Sequence, residues 1–126
     1  LLETPEAIAQ LEAIAELLGI DALFIGPGDL SASMGHVGNA AHPDVIQLIQ
    51  DAVNRAHAAG KWVGTVGGTP SMVRQYREMG FDFVAIASDL AFLVRSAQAA
   101  VQELSGPASQ NAPVATAAIE QNKEVY

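Results

Sequence analysis

Two carboxylates, Glu3 and Asp29, stand where a parallel α/β fold keeps its chemistry. Ligand sites in such folds lie beyond the carboxyl ends of the strands. Leu1-Leu2 reads as the end of one strand and Ala22-Leu23-Phe24-Ile25 as the next, so Glu3 and Asp29 close adjacent strands. Two oxygen ligands, completed by water and substrate oxygens, suit Mg2+ or Mn2+. Plainer readings stand beside this one: Glu3 as a solvated residue ahead of a helix, and Asp29 as the cap of the turn Asp-Leu-Ser. The same rule selects few other polar groups: Thr65 and the Gly67-Gly68 loop after a later strand, and Ser88 and Asp89 after the last one. Asp89 is better explained as a helix cap than as a ligand. Asp21 and Asp82 sit at strand starts, the end that serves stability.

The remaining chemistry is sparse. His42 precedes Pro43 at a helix entrance and takes a surface role. His36 lies in a Gly-rich loop near Asp29 and could approach a site, whereas His57 lies near a helix C-terminus, where the dipole favours it. No Cys/His metal spacing exists, and with no cysteine there is neither a disulfide framework nor thiol chemistry. A reducing, cytoplasmic location is expected. A Schiff-base enzyme needs a lysine amine in its site. Lys61 begins its strand, at the wrong end, and Lys123 is in the tail, so imine chemistry has no candidate. With 14 acidic and 6 basic residues the formal charge is −8. That excludes nucleic acid and anionic membrane surfaces as partners, because both reward basic patches. No apolar run approaches the roughly 18 residues of a membrane span.

The elements that must position these groups follow from punctuation and periodicity. Thr4-Pro5-Glu6-Ala7 starts a helix, with Ile8, Leu11, Ile14 or Ala15, and Leu18 at helical spacing and Gly19 as its stop. The strand 22–25 is broken by Gly26-Pro27-Gly28-Asp29, and 30–41 is a polar loop with at most a helical turn. Pro43 opens a helix whose apolar side carries Val45, Ile46, Leu48, Ile49, Ala52, Val53 and Ala56, and Gly60 closes it. A strand at 61–66, a helix begun by Thr69-Pro70-Ser71 and stopped by Gly80, a strand at 81–87 and a helix from Asp89 to about Leu104 complete the pattern. Helices alternating with buried apolar strands imply a parallel sheet. Three strands and a stub make about half of an eight-stranded barrel, which typically needs around 250 residues. The start, Leu1-Leu2-Glu3-Thr4, has no initiator Met and reads as a strand running straight into a helix, which points to a truncated chain. The expected division is a partial barrel domain over 1–104 and a flexible tail over 105–126, with a helical turn near Ala117-Ala118-Ile119-Glu120.

The run Phe24-Ile25-Gly26-Pro27-Gly28-Asp29-Leu30-Ser31, continued by Met34-Gly35-His36, Gly38-Asn39 and His42-Pro43, resembles the HpcH/HpaI aldolase family. That family includes 4-hydroxy-2-oxoheptanedioate and 2-dehydro-3-deoxyglucarate aldolases. The likeness extends from Glu3-Thr4-Pro5-Glu6-Ala7 to the last helix, with Glu3 and Asp29 at the matching separation (29 − 3 = 26). It implies the C-terminal half of a (β/α)8 TIM barrel and a divalent-metal-dependent pyruvate aldolase, a carbon–carbon lyase. By that resemblance Glu3 and Asp29 hold Mg2+ or Mn2+, with Co2+ a further option. The backbone N–H groups of Gly28 and Asp29 receive the pyruvate carboxylate, and Val66 lies beside the aldehyde. The family's catalytic base, its partner aspartate and a substrate-binding arginine match positions in the half of the barrel not represented here, so no catalytic residue is assigned in this segment. The resemblance also implies a homo-oligomer, such as a hexamer, in which the last helix is exchanged between barrels. The run Gly35-His36-Val37-Gly38-Asn39 through Val45, with Ala87-Ser88-Asp89-Leu90, is closer to the dehydro-deoxyglucarate branch, with tartronate semialdehyde as the second product. The competing reading is a small non-catalytic α/β regulatory or binding module. A receiver-like domain of this length would want an acidic cluster after its first strand and a late lysine at the carboxyl end of the sheet, and neither is present.

Overall fold

In the computed structural model, residues 1–105 are described, and contacts divide them into a unit Leu1–Ala87 and a second unit beginning at Ser88. The expected tail beyond Ser105, with its helical turn near 117–120, lies outside the described residues.

The first unit is a parallel sheet of three strands, β1 (Ala22–Ile25), β2 (Trp62–Val66) and β3 (Phe83–Ala85), in sequence order. Leu2 adds a parallel bridge to Ile25, so the stub expected before Glu3 lies beside β1. Alternation sends Leu23, Ile25 and Val63 into a core with Ile8, Leu11 and Val45 from the helices. The opposite face is apolar too. Phe24, Gly64 and Phe83 lie in register across the three strands, and the two rings meet at 5.9 Å between centroids. A Cβ on Gly64 would stand 2.1 Å from Phe83 ring atoms, so only glycine admits that ring. On this face Trp62 is 64% and Phe83 45% exposed. Strands apolar on both faces are what a barrel requires, with helices outside and packed side chains within.

The helices depart from expectation in instructive places. The first forms as two short pieces, α1 (Pro5–Ala9) and α2 (Leu11–Ala15), joined at Gln10. Thr4 caps it as expected, accepting from Ala7 N–H. It ends at Ala15 rather than at Gly19, so Leu18 is exposed instead of continuing the stripe. The segment after β1 is not a plain loop. Pro27–Ser33 is a helix, α3, with Gly26 as N-cap, Pro27 at its first position and Asp29 in its first turn. Proline is pre-set for that position, so the Gly-Pro-Gly run starts a helix instead of merely breaking a strand. Helix α4 (Pro43–Ala58) buries Val45, Ile49, Ala52, Val53 and Ala56, as its periodicity predicts. Helix α5 (Pro70–Glu78) is capped by Thr69 and buries Tyr76. β3 keeps three of the seven expected residues, because its pairing is limited to Gly64–Val66 of β2. In the second unit α6 (Asp89–Ser105) is capped by Ser88, whose hydroxyl accepts from Ala91 N–H, and not by Asp89. No residue of α6 is buried.

Candidate active site and metal centre

The stub strand and β1 deliver Glu3 and the 26–29 segment to one end of the sheet. Leu2 N–H donates to Phe24 O at 2.7 Å, and Gly26 N–H donates to Leu2 O at 3.1 Å. Glu3 therefore follows the paired stub directly, one residue before Thr4, the extended N-cap of α1. Asp29 lies in the first turn of α3, directly beyond β1. Glu3 is partly buried and Asp29 exposed. The Glu3 side chain lies against Gly26, where a Cβ would come within 2.9 Å of its Cγ. Among the described residues neither carboxylate takes a hydrogen bond or an ion pair. Two unpartnered carboxylates at adjacent strand ends are hard-oxygen donors of the kind a divalent cation takes.

The backbone around them is firmly tied. Ser31, fully buried, donates its hydroxyl to Gly28 O at 2.7 Å. Thr65, also fully buried, donates to Ile25 O at 3.0 Å, so this hydroxyl serves the sheet and is not available to a ligand. Ser33 Oγ lies 2.8 Å from Leu30 O and 3.2 Å from Glu3 O; it has one proton, and the shorter contact prevails. The first bond of α3 runs from Leu30 N–H to Gly26 O, leaving the N–H groups of Gly28 and Asp29 outside the ladder. Val66 ends β2 on the open face of the sheet.

The histidines do work that the sequence did not reveal. The rings of His36 and His42 stack at 3.5 Å with 12° between planes. His42 Nδ1 accepts from Asp44 N–H, capping α4, and Asp44 Oδ2 lies 3.8–3.9 Å from both rings. Their ligating atoms all fall within 4.8 Å of one another. Nitrogen lone pairs lie in the ring planes, however, and two near-parallel planes do not converge on one ion. With Nδ1 already occupied as a cap, the trio is a clasp that closes the 34–42 loop on α4. At the opposite end of the sheet His57 Nε2 meets Asp82 Oδ2 at 3.0 Å, a pairing across 25 residues. The Val63 N–H bond, and then His57, hold the Asp82 carboxyl below its ordinary range. On the helix side, Arg55 bridges Glu12 at 2.6 and 2.7 Å, Asp51 at 3.1 Å and Ile8 O at 3.0 Å. Chiefly through that hydrogen bond to Arg55, the Glu12 carboxyl is lowered to about 2.

Comparison with known proteins gives a consistent result. The family model described as HpcH/HpaI aldolase/citrate lyase matches residues 1–96. A 2-dehydro-3,6-dideoxy-6-sulfogluconate aldolase from Pseudomonas putida is 49% identical over 116 residues, covering 92% of this chain and 45% of that protein. A 5-keto-4-deoxy-D-glucarate aldolase from Escherichia coli is 45% identical over 96 residues, covering 76% of this chain and 37% of that protein. Among solved structures, an HpcH/HpaI aldolase/citrate lyase family protein from Burkholderia cenocepacia superposes with a TM-score of 0.75 at 36% identity, over 82% of this chain and 40% of that one. The chain thus spans less than half the length of the relatives it matches.

Proposed function

The chain belongs to the HpcH/HpaI aldolase/citrate lyase family, and from that premise we propose that it is the metal-holding, C-terminal half of a class II pyruvate aldolase. The reaction is reversible retro-aldol cleavage of a 4-hydroxy-2-oxo acid to pyruvate and an aldehyde. The observation that carries this reading is the pair of unpartnered carboxylates, Glu3 and Asp29, closing adjacent strands of a family-matched sheet. They would hold a divalent ion: Mg2+ or Mn2+, with Co2+ a further option. Such an ion supplies Lewis acidity at the pyruvate keto oxygen, where negative charge develops as the C3–C4 bond breaks.

Each residue then has a physical task. Glu3 and Asp29 bring two negative charges to one cation. The N–H groups of Gly28 and Asp29, outside the ladder of α3, donate to the pyruvate carboxylate. Val66 presents an apolar wall beside the aldehyde. Proton transfer falls to residues outside this segment, since His36 and His42 are engaged with each other and with α4. The two aldolase relatives bear different substrate names at 49% and 45% identity, a gap too small to choose between them. The dehydro-deoxyglucarate branch, with tartronate semialdehyde as product, is the reading carried from the loop motif. The regulatory-module alternative finds no support beside a match to aldolases.

The setting is proposed to be a cytoplasmic homo-oligomer, such as a hexamer. No helix among the described residues is long and apolar enough to cross a membrane. The exposed Leu90, Phe92, Leu93, Val94 and Val101 of α6 give that helix an apolar surface suited to a neighbouring subunit. Expressed by itself, the segment is expected to dimerise, aggregate or fold loosely. Its open sheet face and two strand edges leave apolar surface and unpaired backbone in water. Sedimentation of the isolated segment checks this, and a well-folded monomer would count against it.

The activity is tested in the full-length protein carrying this segment. Asp29→Asn or Glu3→Gln should lower pyruvate release from a 4-hydroxy-2-oxo acid by at least about a hundredfold, the scale of losing a principal electrostatic contributor. Wild-type turnover in either variant with excess chelator present would refute the assignment.

A further inference from the structure

The first glycine of the Gly26-Pro27-Gly28 run has a task distinct from the second, and it concerns Glu3. The inference rests on the reading of Glu3 as a metal ligand. Gly26 has φ −97° and ψ 94°, an extended conformation open to any residue, so backbone geometry does not demand glycine there. Space does. A methyl group on Gly26 would stand 2.9 Å from Glu3 Cγ, 3.0 Å from Oε1 and 3.4 Å from Cδ. Optimal carbon–carbon contact is about 3.5–4.0 Å, so one partner must move. Gly28 offers the contrast, because a Cβ there meets nothing within 4 Å.

Which partner moves is settled by what holds each. Gly26 is tied on both sides: its N–H donates to Leu2 O at 3.1 Å, and its carbonyl accepts from Leu30 N–H at 3.0 Å. The first bond joins the stub strand to β1 and the second opens α3. Shifting Gly26 would strain both. The Glu3 side chain has no hydrogen bond or ion pair among the described residues, so it yields first. We propose that Gly26 is a positioning residue: its bare Cα is the seat against which the Glu3 side chain is set for a divalent cation. A methyl group in the seat displaces the carboxylate while leaving strand and helix intact.

Mg2+ demands near-ideal geometry, with bonds of about 2.0–2.1 Å, whereas Ca2+ tolerates about 2.3–2.6 Å and irregular shells. Displacing one of two protein ligands should therefore harm Mg2+ binding more than Ca2+ binding. A fold defect would lower both alike.

The test is Mn2+ titration of the full-length protein, followed by free-Mn2+ electron paramagnetic resonance, with Mg2+ and Ca2+ as competitors. Wild type, Gly26→Ala and Glu3→Ala are compared. Glu3→Ala should lose the site. Gly26→Ala should fold, should raise the Kd for Mn2+ about 10–100-fold, as loss of a ligand's supporting contacts typically does, and should shift the Mg2+/Ca2+ preference toward Ca2+. Wild-type affinity in Gly26→Ala, an equal loss for both competitors, or an unfolded Gly26→Ala protein would each overturn the inference while leaving Glu3 a ligand. Wild-type Mn2+ affinity in Glu3→Ala would instead remove the ligand assignment and this inference with it.

Discussion

The two ends of one sheet treat their charged groups in opposite ways. At the amino end, Asp82 accepts from Val63 N–H at 2.7 Å and meets His57 at 3.0 Å, while Lys61 Nζ donates to Ile20 O at 2.6 Å. Asp82 even adds a rung to the sheet, since its own N–H returns to Val63 O. At the carboxyl end, Glu3 and Asp29 have no partner among the described residues. Partnered charges stabilise a fold, whereas carboxylates without a protein partner are left open to a ligand. The barrel fold separates the two tasks by end, and the proposed site of this chain follows that division with few polar residues.

Several substitutions would break or sharpen that contrast. The largest stability effect is expected from Asp82→Ala, which leaves the buried Val63 N–H without its acceptor and frees His57. A loss of about 1–3 kcal/mol follows from one unsatisfied backbone donor, read from urea unfolding, with Mn2+ affinity unchanged. A weakened metal site in Asp82→Ala would show that the two ends are coupled. Acid should act on the partnered groups next. The folded-state carboxyls of Asp82 and Glu12 lie below their ordinary values, Glu12 at about 2. Their contribution is therefore complete above the ordinary carboxylate range, about pH 4, and is lost as pH falls toward 2. Because Glu12 and Arg55 are partly exposed, added salt should shrink that share of the effect. A metal-free stability flat from pH 5 to pH 2.5 would contradict the assignment. The smallest change is expected at the other end: Glu3→Gln or Asp29→Asn should leave metal-free stability within about 0.5 kcal/mol of wild type, as surface substitutions do. A large loss in either would mean that these carboxylates support the fold after all.

Much of this was legible in the chain because buried parallel strands read as short apolar runs and proline and glycine punctuate them. β1 and α4 fall where Ala22–Ile25 and the spacing from Val45 to Ala56 put them. The errors have specific causes. Gly26-Pro27-Gly28 reads as a breaker until proline's fitness for the first helical position is weighed, so α3 starts earlier, at Pro27, than the helical turn expected after Asp29. Leu18 looks like core, yet the helix stops at Ala15 and leaves it exposed. Ser88 displaced Asp89 as the cap of α6, a one-residue shift that local propensity does not resolve. The His36–His42 stack and the His57–Asp82 pair carry no local signal, since each depends on how a loop or a βα connection folds back. Strand-end position drew attention to Glu3 and Asp29, but the seat at Gly26 appears only in three dimensions.

The most direct test of the central claim is thermal unfolding of the full-length protein with and without Mn2+, in wild type, Asp29→Asn and Asp82→Ala. A ligand that binds only the folded state stabilises it by mass action, about 2.7 kcal/mol at a hundred times its Kd, and so raises the unfolding midpoint. Wild type should show that rise, and Asp82→Ala should show the same rise from a lower baseline. Asp29→Asn should show none, from a baseline close to wild type. A full Mn2+-dependent rise in Asp29→Asn would place the metal elsewhere and contradict the division of labour between the two ends of the sheet.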